Sequence, residues 1–126
     1  KNVERFLLVD KRYNALVKAD MPHLYSLFWE IKEGVEFNCK YKYLYKDGKQ
    51  EGEQLRWYRN DQLYTKEFYK DGKREGEQLK WYSNGQLQAK YCYKDGEFEG
   101  EQLSWFEDGQ LMYKRFYKDG TFMGEE

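Results

Sequence analysis

The stretch Tyr69-Lys70-Asp71-Gly72-Lys73-Arg74-Glu75-Gly76-Glu77-Gln78-Leu79-Lys80-Trp81-Tyr82-Ser83-Asn84-Gly85-Gln86-Leu87 decides the fold. It holds two turn signals, Lys70-Asp71-Gly72 and Ser83-Asn84-Gly85, on either side of a run that ends in Leu79, Trp81 and Tyr82. Asp-Gly and Asn-Gly between β-forming runs are strong hairpin signals, because glycine takes a positive φ without steric cost. Outward from this stretch the pattern recurs every 24 residues. Tyr-Lys-Asp-Gly begins at Tyr45, Tyr69, Tyr93 and Tyr117, and residues 45–68 share 16 of 24 identities with 69–92. A fixed period of this length marks an array of supersecondary units.

Each repeat therefore reads as one β-hairpin, with three-residue loops closed by a left-handed glycine. Arg59-Asn60-Asp61 departs from the pattern by placing Asp61 at that left-handed position, which Asp tolerates less well than Gly. In this register Trp81 faces Leu87, Leu79 faces Ala89, Leu63 meets Leu79, and Leu87 meets Leu103. One face then collects Leu55, Trp57, Leu63, Leu79, Trp81, Leu87, Leu103, Trp105 and Leu111. The opposite face collects Tyr58, Tyr82 and Phe106 with Lys66, Lys90 and Lys114, together with Phe68, Cys92 and Phe116. Gly52 falls opposite Phe68 and Gly100 opposite Phe116, so that a ring lies over bare backbone.

The first 44 residues follow a different pattern. Phe6, Val9, Tyr13, Leu16 and Val17 recur at helical spacing. Asp20 as N-cap with Pro22, then Leu24, Leu27, Phe28 and Ile31, predicts a second helix ended by Gly34. Val35, Phe37, Cys39, Tyr41 and Tyr43 alternate with polar residues as one strand into the first hairpin. The expected architecture is mainly β: an elongated single-layer antiparallel meander of 24-residue hairpin repeats with a short α-helical N-terminal cap. Its units are the cap (1–33) and the array (34–126), the latter with repeats 45–68, 69–92, 93–116 and a partial unit 117–126.

Composition narrows the function. The chain has 126 residues and a net charge of −1, which argues against a nucleic-acid partner. It carries 25 aromatic residues against 17 Leu, Val and Ile, too many rings for a disordered chain. One histidine, His23, cannot build a triad or a multi-histidine metal site. Cys39 and Cys92, 53 residues apart, read as reduced thiols. The glutamates recur with the repeat, whereas catalysis needs one asymmetric constellation. No catalytic residue, cofactor or metal is expected, and the chain reads as a non-enzymatic, intracellular, cytoplasmic protein.

The frame Tyr-Lys-Asp-Gly-x-x-Glu-Gly-Glu followed by Trp-Tyr-x-Asn-Gly-Gln-Leu resembles the variant form of the MORN-type repeat over residues 45–126. That resemblance implies an elongated hairpin sheet and no activity of its own. Residues 1–30, with Phe6-Leu7-Leu8-Val9-Asp10-Lys11-Arg12-Tyr13 and later Trp29, are similar to the trailing half of an F-box. This implies a substrate receptor of a ubiquitin ligase that meets a Skp-type adaptor through residues 1–30.

The functional expectation is protein–protein interaction or scaffolding through Trp57, Trp81, Trp105, Leu63, Leu87 and Leu111, with a protein partner of unstated identity. The alternative is an anionic-lipid surface met by Lys66, Lys90 and Lys114, with Arg56 and Lys80 beside them. An antitoxin-type role, inherited from bacterial proteins with variant repeats, ranks third.

Overall fold

The computed structural model describes residues 3–10, 15–18 and 28–126, with side chains from Trp29 onward. These residues form one sheet of 14 strands. They are β1 (Val3–Asp10), β2 (Ala15–Lys18), β3 (Phe28–Glu36), β4 (Cys39–Lys46), β5 (Lys49–Gln50), β6 (Gly52–Trp57), β7 (Leu63–Lys70), β8 (Lys73–Arg74), β9 (Gly76–Trp81), β10 (Leu87–Lys94), β11 (Glu97–Phe98), β12 (Gly100–Trp105), β13 (Leu111–Lys118) and β14 (Thr121–Glu125). The order across the sheet is β14-β13-β12-β10-β9-β7-β6-β4-β3-β1-β2. The pairings are antiparallel, and the array from β3 to β14 is an open meander, as its turn spacing predicts.

The N-terminal expectation fails within the described residues. β1, β2 and β3 stand where the helical cap and the F-box helix were expected, while residues 11–14 and 19–27 of those helices lie outside the described set. β3 pairs β4 along its whole length, from Trp29↔Lys46 to Glu36↔Cys39, and β1 pairs β3 in turn. A strand edge presents unpaired N–H and C=O groups that another strand satisfies directly, and a short apolar run such as Phe6-Leu7-Leu8-Val9 suits either period. The expected single strand 35–44 is also broken. Phe37 and Asn38, at φ 51° and 63°, make a two-residue turn with Phe37 84% exposed.

The two turns of each repeat differ in kind. Lys70 pairs Lys73, so Asp71-Gly72 is a two-residue loop with φ 50° and 81°, the type I′ geometry, in place of the three-residue loop expected there. Ser83-Asn84-Gly85 is the three-residue loop as expected, with Gly85 at φ 91° and the Tyr82 N–H donating to the Gln86 carbonyl at 2.9 Å. Asp61 takes the left-handed site of the first repeat at φ 65°, and its carboxylate forms an ion pair with Lys40. That partner accounts for a residue whose counterparts are Gly85 and Gly109.

A one-residue bulge after the second turn alters the predicted faces. Trp81 pairs Leu87 as expected, but Lys80 pairs Ala89, so Gln88 is extra, and Leu79 faces Lys90. The same shift falls at Tyr64 and Met112. Leu79 consequently meets Lys66 and Leu103 meets Lys90, in place of the Leu63–Leu79 and Leu87–Leu103 contacts predicted. Because side chains alternate, one extra residue reverses every later position. Lys66, Lys90 and Lys114, with Phe68, Cys92 and Phe116, join the Leu/Trp face. The glycines shift too: Gly52 pairs Tyr69 and Gly100 pairs Tyr117.

The tightly packed face is the other one. Among the described residues Tyr41, Ala89, Ser104, Gln54, Gln78 and Gln102 are the buried ones. Cross-strand pairing places them with Arg56, Thr65 and Lys80 and away from the tryptophans.

Candidate functional site

The repeat is built around a glutamine. Beyond the Asp-Gly turn the pairing moves from Tyr69↔Arg74 to Lys66↔Leu79, leaving two surplus residues on the β8–β9 side. Gly76 absorbs the bend at φ 76°, a left-handed conformation that favours glycine. Across the bend the Phe68 carbonyl accepts from the Glu75 N–H at 2.9 Å, the Phe68 N–H is left without a backbone partner, and Gln78 bonds both groups. The Phe68 N–H donates to Gln78 Oε1 at 2.9 Å, and Gln78 Nε2 donates to the Phe68 carbonyl at 3.0 Å. Gln54 does the same for Leu44 and Gln102 for Cys92. A carboxamide carries one acceptor and one donor in the geometry of a peptide group, so it replaces one rung of the sheet.

Both margins of the sheet are also bonded between repeats. The Tyr58 hydroxyl donates to the Trp81 carbonyl at 2.7 Å and Tyr82 to Trp105 at 2.8 Å. On the other margin Glu51 and Glu75 accept from the N–H groups of Asp71 and Asp95, both at 2.9 Å. None of these roles was assigned from the sequence. The available signal was a polar residue repeated at a position whose alternation made it inward-facing.

The expected interaction residues come together as three cross-strand pairs, Trp57↔Leu63, Trp81↔Leu87 and Trp105↔Leu111. They run in a row along the margin of the three-residue loops. All are half-buried except Leu111, which is half-exposed at 50%. The lysines proposed for lipid share this face, and each has a carboxylate partner. Lys66 lies 3.5 Å from Glu53, Lys90 3.2 Å from Glu77 and Lys114 3.3 Å from Glu101. The hydrogen bond to Glu77 raises the Lys90 pKa above its ordinary value.

The glutamine face carries a ladder of planar groups. Tyr93, Phe98, Tyr117 and Phe122 follow one another at centroid separations of 4.8, 4.9 and 5.5 Å. One repeat earlier Arg74 takes the place of Phe98, its guanidinium 5.9 Å from the Tyr69 ring and 5.5 Å from the Tyr93 ring. The Glu67 carboxylate binds Arg74 at 3.0 Å. Burial raises the pKa of Tyr43, Tyr58 and Tyr69. Burial, reinforced by the 3.1 Å hydrogen bond with Tyr113, raises that of Tyr91 strongly. Burial also raises the Cys92 thiol, which lowers its nucleophilicity near neutral pH.

Between β6 and β10 this face opens into a groove of about 310 Å³ with Arg56, Tyr64, Thr65, Arg74, Lys80 and Tyr91 among its lining residues. Arg56 and Lys80 were named from the sequence only as neighbours of the lysine row; the structure places them on the opposite face. Among the described residues no group of three or more His, Cys, Asp and Glu could hold a metal ion, and no helix is long and apolar enough to cross a membrane.

An open sheet of hairpins, each bonded to the next at both margins and by a buried glutamine, defines a β-hairpin repeat protein. The chain belongs to the MORN repeat variant family, whose model matches residues 50–71, 74–95 and 98–119. Repeats of this family are non-catalytic and serve as interaction or membrane-binding modules. Comparison with curated proteins found no match, and comparison with solved structures found none.

Proposed function

We propose that the chain is a protein-docking module whose partner lies against the row Trp57–Leu63, Trp81–Leu87 and Trp105–Leu111. One observation carries this reading: on that face Lys66, Lys90 and Lys114 are each paired with a glutamate of the same repeat. An aromatic, apolar row flanked by neutralised lysines suits a protein partner. An anionic bilayer is drawn by unpaired cations, and the whole chain carries −1. No specific observation favours a ubiquitin-ligase or antitoxin role.

The test compares wild type with Trp81→Ala. Cross-linking mass spectrometry of the recovered complex is expected to place partner peptides next to Trp81 and Trp105, and the variant is expected to lose them while keeping its β-sheet circular dichroism. Salt-sensitive flotation with phosphatidylserine vesicles would replace the protein partner with a membrane. Loss of the circular dichroism in Trp81→Ala would assign the row to the core.

A further inference from the structure

We propose that Arg56, Thr65 and Lys80 form a single oxyanion site on the glutamine face, and that it receives a phosphate monoester carried by a protein side chain. The three residues are direct cross-strand neighbours, Arg56↔Thr65 on one side and Thr65↔Lys80 on the other. Their Cβ atoms are therefore spaced at about 5 Å along one row. Both cations lie against the same ring: the Arg56 guanidinium is 5.5 Å and the Lys80 ammonium 5.3 Å from the centre of Tyr64. All four residues line the groove between β6 and β10.

Three further observations point to a ligand. Thr65 Oγ1 is buried and has no hydrogen-bond partner, although buried hydroxyls are ordinarily satisfied. Turned into the groove by rotation about χ1, this hydroxyl would donate to an anion held between Arg56 and Lys80. Second, the charge in the groove does not cancel. Arg74 and Glu67 neutralise each other at 3.0 Å, whereas Arg56 and Lys80 have no carboxylate partner among the described residues. Two uncompensated cations and a hydroxyl donor match a phosphate monoester, which carries about −1.5 to −2 at neutral pH, better than a single carboxylate.

Third, the arrangement occurs once in the array. The equivalent row one repeat later is Lys80–Ala89–Ser104. It has one cation, no threonine, and a serine whose Oγ donates to the Gln88 carbonyl at 3.3 Å. A site present in one repeat and absent from the next is not explained by stacking of the repeats.

The protein source follows from shape and charge. The cations lie in a recess, and a chain of net charge −1 is not attracted to an anionic bilayer at long range. The proposal rests on the docking reading only in that a protein supplies the phosphate; the site itself lies on the face opposite the tryptophan row.

The experiment is a nuclear magnetic resonance titration of the whole chain with phenyl phosphate, benzoate, and a synthetic nonapeptide of glycine and serine centred on phosphotyrosine. Phenyl phosphate is expected to shift the amides of Arg56, Thr65 and Lys80 saturably and to bind at least tenfold more tightly than benzoate. The peptide is expected to bind at least as tightly as phenyl phosphate. Arg56→Gln and Lys80→Gln should each weaken binding about tenfold and Thr65→Val several-fold, with Lys90→Gln unchanged.

Shifts spread evenly over the lysines, or an Arg56→Gln and a Lys80→Gln that both bind normally, overturn the site. Flotation with phosphatidic acid vesicles that Arg56→Gln abolishes, together with a peptide that binds more weakly than phenyl phosphate, overturns the protein source in favour of a lipid. Trp81→Ala that binds phenyl phosphate normally while its own docking test fails separates failure of the docking reading from failure of this one.

Discussion

Two neighbouring repeats present the same backbone on the glutamine face and opposite chemistry. Around β7 and β9 the face carries Arg56, Thr65, Glu67, Arg74 and Lys80; one repeat later the equivalent positions carry Lys80, Ala89, Tyr91, Phe98 and Ser104. In the second region Phe98 continues a ring ladder with Tyr93 and Tyr117. In the first, Arg74 takes that place in the ladder and leaves charge beside a groove. The shared positions (turn glycines, bridging glutamine, margin tyrosine) build the sheet, and the positions that vary between repeats are where binding specificity can reside.

If the scaffold is shared, breaking it should cost the same in both regions, and this is the largest expected effect. Gln78→Ala leaves the Phe68 N–H without a partner, while the Phe68 carbonyl keeps the Glu75 N–H at 2.9 Å, and Gln102→Ala does the same at Cys92, whose carbonyl keeps the Glu99 N–H. An unsatisfied buried polar group costs about 1–3 kcal/mol, so each variant should lose about that much in urea unfolding. A cost for Gln78→Ala several-fold below that of Gln102→Ala would show that the charged region does not depend on the same rung.

Next in size is the glycine that follows the turn. Gly76 and Gly100, at φ 76° and 84°, have nothing within 4 Å of an added Cβ. Alanine there meets only the left-handed backbone cost, about 1–2 kcal/mol, again equal in the two repeats. Calorimetry of Gly76→Ala and Gly100→Ala checks this, and an unchanged melting temperature would mean that the bend relaxes to another conformation.

The third effect should separate the regions. Tyr91 and Tyr113 share a 3.1 Å hydrogen bond in the aromatic repeat, and burial followed by that bond raises the Tyr91 pKa. A raised folded-state value means that the folded protein holds the phenolic proton more tightly. The stabilisation is complete below the ordinary value of about 10 and is lost as pH rises beyond it. Urea midpoints should therefore fall above about pH 10, and Tyr91→Phe should reduce that fall. At neutral pH Tyr91→Phe should cost about 0.5–1.5 kcal/mol, the net worth of one hydrogen bond. An alkaline slope identical in Tyr91→Phe would place its source elsewhere, among Tyr43, Tyr58 and Tyr69, whose values burial also raises.

These contrasts show why part of the molecule was legible and part was not. Period, meander and the left-handed sites at Asp61, Gly85 and Gly109 follow from turn chemistry, which acts over a few residues and is written in residue type. Register depends on Tyr64, Gln88 and Met112, three chemically unrelated side chains that share a bulge. Nothing in their composition announces an extra residue, so Lys66, Lys90 and Lys114 were placed on the wrong face. The sequence of β1 and β3 also suits a helix, because short apolar runs fit both periods and the partner strand decides between them. The groove is hidden in the sequence for another reason. Repetition marks the recurring residues, whereas Arg56, Thr65 and Lys80 differ from their counterparts at one or both neighbouring repeats. The departures from the repeat were the signal.

The smallest expected effect tests whether the tryptophan face, unlike the glutamine face, is chemically uniform along the array. Lys66, Lys90 and Lys114 repeat the same ion pair, and the Lys90 and Glu77 side chains are 38% and 48% exposed. Pairs this accessible to water contribute little, because screening and side-chain ordering offset the attraction. Lys66→Gln, Lys90→Gln and Lys114→Gln should each change stability by less than about 0.5 kcal/mol in urea unfolding, and by similar amounts. Each change also leaves a glutamate uncompensated beside a Trp–Leu pair, so affinity for a neutral docking partner should fall with low-salt dependence in all three. One lysine that alone costs more than about 1 kcal/mol would mean that this face, too, carries a repeat-specific site. The contrast between the two faces would then give way to a contrast between individual repeats.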